Sequence, residues 1–291
     1  MEPAALSRRV PVALGVAVAS ISFAAIFFKQ AAPTHPLIVS AARLAIATLL
    51  LSIPTVRAWR AGRLPPPVLR TALLCGVLYG VHFGTWVTSL SMTSVASSVT
   101  LVTATPLLLA LASLVTGRDR PSARIWGAMA LAAIGVTLIG WADLSLSSDA
   151  LVGDGLALAG AAAMAVYLQR VRRLGKDLDV LAFGGVATAV GALTLLAAAL
   201  VTGVPLVFAS SESLFWILLA ALIPQLIGHN LLTWALRHAT PTEVGISTIG
   251  EPVGATLLAW LWLDESVSAT IATGCAITLT AVFVALRGQR A

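Results

Sequence analysis

Ten apolar segments follow one another along this chain, with only short connections between them. They lie at 10–28, 36–56, 71–90, 93–116, 125–142, 152–169, 180–202, 214–236, 241–262 and 267–286. A bilayer core about 30 Å thick requires about 20 apolar residues in a helix, and these segments supply them. Because lipid offers the backbone no hydrogen-bond partners, each segment must form a helix. The sequence therefore predicts an all-α membrane protein with ten transmembrane helices, numbered as spans one to ten.

Composition agrees with a membrane environment and weighs against other classes. Hydrophobic residues make up 58% of the chain and charged residues 10%, and the mean hydropathy is +0.96. The pI near 10.3 does not indicate nucleic acid, because the basic residues lie at the ends of the spans. Cys75 and Cys275 lie inside spans, so neither indicates a disulfide or a metal site. We expect no metal, no cofactor and no nucleic-acid partner.

The second half of the chain repeats the first. Residues 90–135 and 236–281 align without gaps at an offset of 146, which places Pro106 on Pro252. Each half holds five spans, and because five is odd the second copy must cross the membrane in the opposite sense. The first span, although it resembles a signal peptide, is predicted to be retained, since its removal leaves one half incomplete. The sequence therefore predicts two inverted five-helix repeats at 10–142 and 152–286.

The distribution of positive charge predicts the orientation. With the N-terminus in the cytoplasm, sixteen of the 18 Lys and Arg residues fall on the cytoplasmic side, and only Lys29 falls on the other. The connection GRDRPSAR after span four is rich in arginine, whereas LDES after span nine holds no cation. The alignment nevertheless places Asp119 on Glu265. We therefore expect a multi-pass protein of a cell membrane, the bacterial inner membrane, with both termini in the cytoplasm.

Several segments resemble one known family. The second half reads WALRHATPTEVGISTIGEPVGATLLAWLWLDE, and the first reads TSLSMTSVASSVTLVTATPLLLALASLVTGRD followed by GAMALAAIGVTLIG. This pattern resembles the EamA-type transporters of the drug/metabolite transporter superfamily. Arg43 matches an arginine often seen in span two, whereas Arg118–Asp119 departs from the Gly–Glu of many members. The resemblance implies a ten-helix secondary transporter that exports small metabolites, and it leaves the substrate open.

Span three carries two different faces. Small residues recur at every fourth position, at Gly76, Gly80 and Gly84. Such a ridge allows another helix to approach closely. A separate face carries Tyr79, His82, Phe83 and Trp86. We favour a cavity position for His82, because an imidazole facing lipid is costly, whereas a lipid-facing or core position remains open for the aromatic stripe.

Further polar residues lie in spans four, six and eight. Span eight carries Gln225, His229, Asn230 and Thr233, with Trp234 beside them. These side chains serve either as interhelical hydrogen-bonding groups or as a binding site, and the sequence does not decide between the two. The hydroxyls of span four, from Ser94 to Thr105, favour packing, because they can bond to carbonyls of their own helix. Tyr167 and Gln169 in span six either close a gate or anchor in the headgroups.

Two charged side chains lie inside spans. Glu251 is the only acid deep in a span and precedes Pro252, which removes a helical hydrogen bond and bends or opens the helix. Glu251 either couples to substrate or proton, or has a structural role such as a pair with Arg43. Arg43 either holds a substrate carboxylate or braces the helices. The predicted substrate-binding set is Tyr79, His82, Trp86, Gln225, His229, Asn230, Glu251 and Arg43.

The most consistent function is secondary transport by alternating access around a midplane cavity. Few basic residues are available to such a cavity, so amino acids, aromatic ones among them, are the first choice of cargo. Export of lipophilic cations as in multidrug transport is the alternative. A membrane-embedded enzyme or sensor is a third possibility, but no nucleophile–base motif or phosphate loop indicates catalysis. Two complete repeats allow a functional monomer in the lipid bilayer.

Overall fold

The computed structural model describes residues 3–93, 95–116, 121–141, 147–263 and 267–287. These residues form helices joined by short turns, and they contain no β-strand. Eight helical segments are long and apolar enough to cross a membrane by length and composition. Two shorter apolar helices, at the positions of spans five and ten, complete the predicted set. The prediction of an all-α membrane fold is therefore confirmed.

Six spans are uninterrupted helices. They are span two at Pro36–Arg60, span three at Pro66–Ser89, span five at Ala123–Trp141, span six at Ser148–Arg172, span seven at Val180–Val201 and span ten at Ala269–Arg287. Spans two and three each begin with proline at the first helical turn, where the missing N–H has no intrahelical partner to lose.

The other four spans are interrupted. Span one consists of Pro3–Ser22 and Ala24–Gln30, span four of Val95–Val102 and Thr105–Thr116, and span nine of Pro241–Thr248 and Glu251–Leu263. Span eight combines α-helix Ser211–Ala220, the π-helical segment Ala221–His229 and α-helix Asn230–Ala235. Interruptions inside a membrane are tolerated where protein or a cavity, rather than lipid, surrounds the backbone.

The helices pack in pairs that the repeat relates to one another. Span two packs on span seven, and span five packs on span ten. Span three packs on span six, and its repeat mate, span eight, packs on span one. Span four likewise contacts span six as span nine contacts span one. A two-fold relation between two five-helix halves explains all of these pairs.

The glycine ridge of span three lies against span seven. A Cβ atom on Gly76 would come within 2.4 Å of Val190 Cβ, and one on Gly80 within 2.7 Å of Thr194 Cβ. No side chain fits into such distances unless the helices move apart. The prediction that this face packs closely against another helix is therefore confirmed.

Contacts between connections define two faces of the bundle. On one face Arg63 forms an ion pair with Asp179, and Arg172 Nη1 donates to the Leu236 carbonyl at 2.9 Å. We call it the arginine-rich face. On the opposite face, called the Lys29 face, the Ala209 N–H donates to Thr34 Oγ1 at 3.0 Å. Other predictions concern positions outside the described residues, namely Ser94, Arg118, Asp119 and Glu265.

Candidate functional site

A cavity lies near the middle of the bundle, between the two halves. It is lined by residues of spans one, three, four, six, eight and nine. All four interrupted spans therefore reach it. The polar lining consists of His82, Thr103, Thr105, His229, Thr248 and Glu251. The volume is about 40 Å³, which corresponds to only a few water molecules when about 10–15 Å³ is needed for one.

Spans four and nine break at equivalent positions, and residues at both breaks line this cavity. The first break falls at Thr103–Ala104 and the second at Ile249–Gly250, an offset of 146 residues. After each break a new helix begins, with proline as its second residue. Proline is tolerated there because the first N–H groups of a helix have no intrahelical acceptor. The predicted opening of span nine before Pro252 is confirmed, and Pro106 has the same effect in span four.

The first residue of each new helix lines the cavity, but the two residues differ in chemistry. Thr105 Oγ1 donates to the Val102 carbonyl at 3.1 Å, the carbonyl that Pro106 leaves without an N–H. Glu251 occupies the equivalent position in span nine and is 8% exposed. Pro252 likewise leaves the Thr248 carbonyl without its N–H, and an ionised carboxylate has no proton to donate. When Glu251 is ionised, its carboxylate and the Thr248 carbonyl are therefore acceptors that receive no proton from each other.

Two histidines lie on the same side of the cavity. His82 Nδ1 lies 2.9 Å from the Gly160 carbonyl, so this nitrogen carries a proton and donates. In a neutral ring Nε2 is then an acceptor. The His82 ring lies over Trp86 with centroids 5.9 Å apart. His229 ends the π-helical segment and meets Phe83 edge-on at 5.2 Å. Short π-helical segments within α-helices are frequent at functional sites.

Tyr79 and Gln225 lie beside the cavity, on its arginine-rich side, rather than in its lining. The Tyr79 ring stacks on Tyr167 with centroids 4.4 Å apart and an angle of 10°. The Tyr167 hydroxyl is within 3.1 Å of Thr233 Oγ1, and the Tyr79 hydroxyl interacts with the Gln225 side chain. This four-residue network joins spans three, six and eight. It closes the cavity toward that face, which gives Tyr167 a buried position rather than one in the headgroups.

Asn230 and Arg43 also lie outside the lining. Asn230 Nδ2 donates to the Leu226 carbonyl at 2.9 Å, and its Oδ1 lies against Gly184 of span seven. Arg43 is 0% exposed, with its guanidinium carbon 4.2 Å from the centroid of Phe83. None of its nitrogens has a hydrogen-bond partner among the described residues, so the anticipated pair with Glu251 is not a hydrogen-bonded one.

The predicted set thus divides into two groups. His82, Trp86, His229 and Glu251 line the cavity, whereas Tyr79, Gln225, Asn230 and Arg43 surround it. Sequence reasoning missed Thr105, Thr103 and Thr248 as lining residues. The repeat offset contains the signal for Thr105, because it places Thr105 on Glu251. No comparable signal exists for the apolar lining residues of spans one and six, such as Ile21 and Met164.

A ten-span bundle of two related halves, with a cavity between them at discontinuous helices, defines the architecture of a secondary transporter. The chain belongs to the EamA-like transporter family, which matches residues 11–141 and again residues 151–287. The family match covers both halves, as a transporter of the drug/metabolite superfamily requires.

The fold also occurs in a solved structure, described only as a crystal structure of a protein. The TM-score is 0.77, and the match covers 97% of this chain and 99% of the other chain. The sequences are 18% identical, so the likeness supports the fold and no shared substrate. No curated protein sequence matches this chain significantly.

Proposed function

We propose that this protein is a secondary exporter of amino acids, aromatic ones included, which works by alternating access. The observation that carries the proposal is the chemistry of the cavity wall at span nine. When Glu251 is ionised, its carboxylate and the Thr248 carbonyl are acceptors that suit the primary ammonium group of a substrate. Glu251 carries that ammonium group or, when the site is empty, a proton.

The threonine hydroxyls support the same class of substrate. Thr103 Oγ1 donates to the Val99 carbonyl at 2.8 Å, and Thr248 Oγ1 donates to the Gly245 carbonyl at 2.7 Å. Because these protons bond to carbonyls of their own helix, the oxygen atoms offer lone pairs to the cavity. Together with Nε2 of His82, the wall is rich in acceptors, as a cationic group requires.

Aromatic and apolar groups complete the cavity. The indole of Trp86 and the side chains of Met164 and Leu168 also line it. Once the cavity has opened, stacking on Trp86 favours an aromatic side chain of the substrate. We therefore propose His82, Trp86, His229 and Glu251 as the substrate contacts in the opened cavity.

Transport requires the cavity to open, because a volume of about 40 Å³ does not hold an amino acid. In the proposed cycle the repeats 10–142 and 152–286 rock against each other around the site. By the positive-inside rule, the arginine-rich face is the cytoplasmic one. In a bacterial inner membrane, both termini then lie in the cytoplasm. Each chain holds both halves of the site, so a monomer suffices.

This orientation has a direct test. In a variant without Cys75 and Cys275, a single cysteine replaces Ser147 or Ser211, both of which are exposed. An impermeant thiol reagent added to intact cells is expected to label both positions. Labelling only after the cells are opened would contradict this orientation.

A second candidate cargo is a lipophilic cation, as in multidrug export. A groove of about 170 Å³ runs between spans four and five at the first break and shares Thr103 with the central cavity. Leu107 at its rim is 45% exposed, as expected for a side chain facing lipid. A cation dissolved in the bilayer therefore has a lateral approach to Glu251, where cation–π contacts with Trp86 add to the attraction.

The two candidates differ in a flux experiment with purified protein in liposomes. Counterflow of labelled phenylalanine is measured against phenethylamine, N-acetylphenylalanine and tetraphenylphosphonium as competitors. An amino-acid exporter is expected to exchange phenylalanine and to be weakly inhibited by tetraphenylphosphonium. Flux of tetraphenylphosphonium without exchange of any amino acid would favour the second candidate. Absence of flux for every compound would contradict both.

A further inference from the structure

A second cavity lies on the Lys29 face, outside the central one. Its volume is about 420 Å³, and it is enclosed by the ends of spans one, two and three, including Phe28, Lys29, Val39 and Val87. It shares no lining residue with the central cavity. We call it the Lys29 vestibule.

The ring of Phe28 separates this vestibule from the interior. Phe28 lines the vestibule, and its other contacts point inward. It meets Trp86, a residue of the central cavity, with centroids 5.6 Å apart and an angle of 74°. It also covers the Arg43 guanidinium, whose carbon lies 5.1 Å from the ring centroid. A movement of this one ring therefore exposes both Arg43 and Trp86 to the vestibule.

Behind Phe28 lie hydrogen-bond donors without acceptors. Arg43 is completely buried, and its Nε, Nη1 and Nη2 have no partner among the described residues. The same holds for Nε1 of Trp86, a side chain that is 2% exposed. A buried guanidinium without acceptors is costly, and the rings of Phe28 and Phe83 offset only part of that cost. These donors match the acceptor oxygens of an anionic group.

We infer that Arg43 and the Trp86 indole form a carboxylate-binding site that Phe28 covers from the Lys29 vestibule. The fork of a guanidinium matches the two oxygens of a carboxylate, and the indole N–H adds a third donor. Glu251 and Arg43 carry opposite charges, as the ammonium and carboxylate groups of an amino acid do, so we assign the two groups to the two ends of one ligand. This last step rests on the proposed amino-acid export, whereas binding of a simple carboxylate does not.

The site is tested by ligand binding to the purified full-length protein, with 3-phenylpropionate as the carboxylate probe and phenethylamine as the amine probe. Binding of 3-phenylpropionate is expected to weaken at least tenfold in Arg43→Gln, with binding of phenethylamine unchanged. Arg43→Lys keeps the charge without the fork and is expected to give an intermediate loss. Trp86→Phe keeps a ring and removes only the N–H, so a loss of about three- to tenfold is expected.

The role of Phe28 has a matched control in the adjacent residue. Phe27 is equally buried but packs on Trp216 and Trp262, away from Arg43. Phe28→Ala is expected to speed the association of 3-phenylpropionate severalfold, whereas Phe27→Ala leaves the rate unchanged. If the arginine variants fail to fold, the association rates of Phe28→Ala and Phe27→Ala still test the site. Equal rates in these two variants would overturn it.

Three results separate the possible failures. Equal affinity of wild type and Arg43→Gln for 3-phenylpropionate overturns the carboxylate site. No binding of 3-phenylpropionate to wild type or to Phe28→Ala overturns it as well. Binding of 3-phenylpropionate that depends on Arg43, together with no amino-acid counterflow, retains the site and contradicts the proposed export of amino acids.

Discussion

The fourth and ninth spans solve the same backbone problem in different ways. Both break at equivalent positions, and both start a new helix with proline in second place. In span four, Thr105 donates to the carbonyl that Pro106 exposes. In span nine, Glu251 stands in the place of Thr105, and the Thr248 carbonyl receives no such proton. At the first break the exposed carbonyl has a hydrogen-bond donor within the protein. At the second break the corresponding carbonyl has none among the described residues, and under the proposed function a ligand supplies it.

Under the proposed function, this difference gives a symmetric scaffold a directional site. The two-fold relation places two equivalent helix starts at one cavity, so either one can hold a polar group. The hydroxyl of Thr105 makes the cavity wall at span four neutral. The carboxylate of Glu251, when ionised, makes the wall at span nine anionic. A substrate with a single ammonium group then has one preferred orientation between the halves.

The largest expected effect comes from converting the second break into a copy of the first. In Glu251→Thr, the new hydroxyl can donate to the Thr248 carbonyl, so the fold is retained and only the charge is lost. Loss of a charged contact of about 1.5–3 kcal/mol lowers transport about 10- to 100-fold. Counterflow in liposomes and the melting temperature measure the two effects separately.

Glu251→Gln serves as the companion variant, since it keeps the shape of the side chain without the charge. It is expected to lose transport to a similar extent while remaining monodisperse. Normal transport by either variant across a pH series would remove both the proton and the ammonium role from Glu251. The second break would then be structural, like the first.

The reciprocal change addresses span four. Thr105→Val keeps the volume and removes the proton donor, so the Val102 carbonyl loses its partner. We expect a loss of about 1–3 kcal/mol in the free energy of unfolding with transport largely retained. Denaturation of the purified variant provides the measurement.

A second substitution tests whether that loss arises from the carbonyl. Pro106→Ala restores an N–H within reach of the Val102 carbonyl, so Thr105→Val combined with Pro106→Ala is expected to be more stable than Thr105→Val alone. If the double variant is no more stable, the hydroxyl acts through the Ala161 carbonyl, to which Thr105 Oγ1 also donates at 3.3 Å.

The packing of span three against span seven is expected to affect the stability of the protein rather than its affinity for substrate. Gly80→Leu introduces a side chain where Thr194 Cβ leaves 2.7 Å for a Cβ atom. Overpacking of this kind costs about 1–3 kcal/mol, and the melting temperature is expected to fall. A stable Gly80→Leu protein with normal transport would show that spans three and seven can separate freely.

The smallest expected effect concerns the aromatic side of the cavity. Trp86→Ala and His82→Ala remove stacking or a hydrogen bond worth about 1 kcal/mol. The apparent affinity for substrate is therefore expected to fall about fivefold, without a change in the maximal rate of the same order. Concentration series of counterflow give both parameters. Unchanged affinity in both variants would show that His82 and Trp86 do not contact the substrate.

Sequence reasoning was most successful where the constraint acts along the chain. Ten apolar segments and the repeat offset gave the all-helical bundle and its two related halves, because lipid forces every span to satisfy its own backbone. The close packing of Gly76 and Gly80 and the opening before Pro252 followed from local chemistry in the same way. His82 and Trp86 lie on a face separate from the glycine ridge, as helical spacing predicted.

The neighbours of each polar side chain were decided by the tertiary structure. Helical spacing tells which residues share a face, but it does not tell which of nine other helices that face meets. Tyr79 stacks on Tyr167, 88 positions later in the chain, and Arg43 lies between Phe28 and Phe83 of two different spans. These contacts depend on how whole helices pack, which involves many side chains at once.

The sequence by itself determined that this chain is a two-repeat membrane bundle of the transporter type, because hydropathy, proline and glycine act locally. Only the tertiary structure decided that Thr105 and Glu251 meet at one cavity, that Phe28 covers Arg43, and that Asn230 packs against span seven. The physical reason is that a buried polar group gains its role from the partner it finds, and that partner lies far away in the chain.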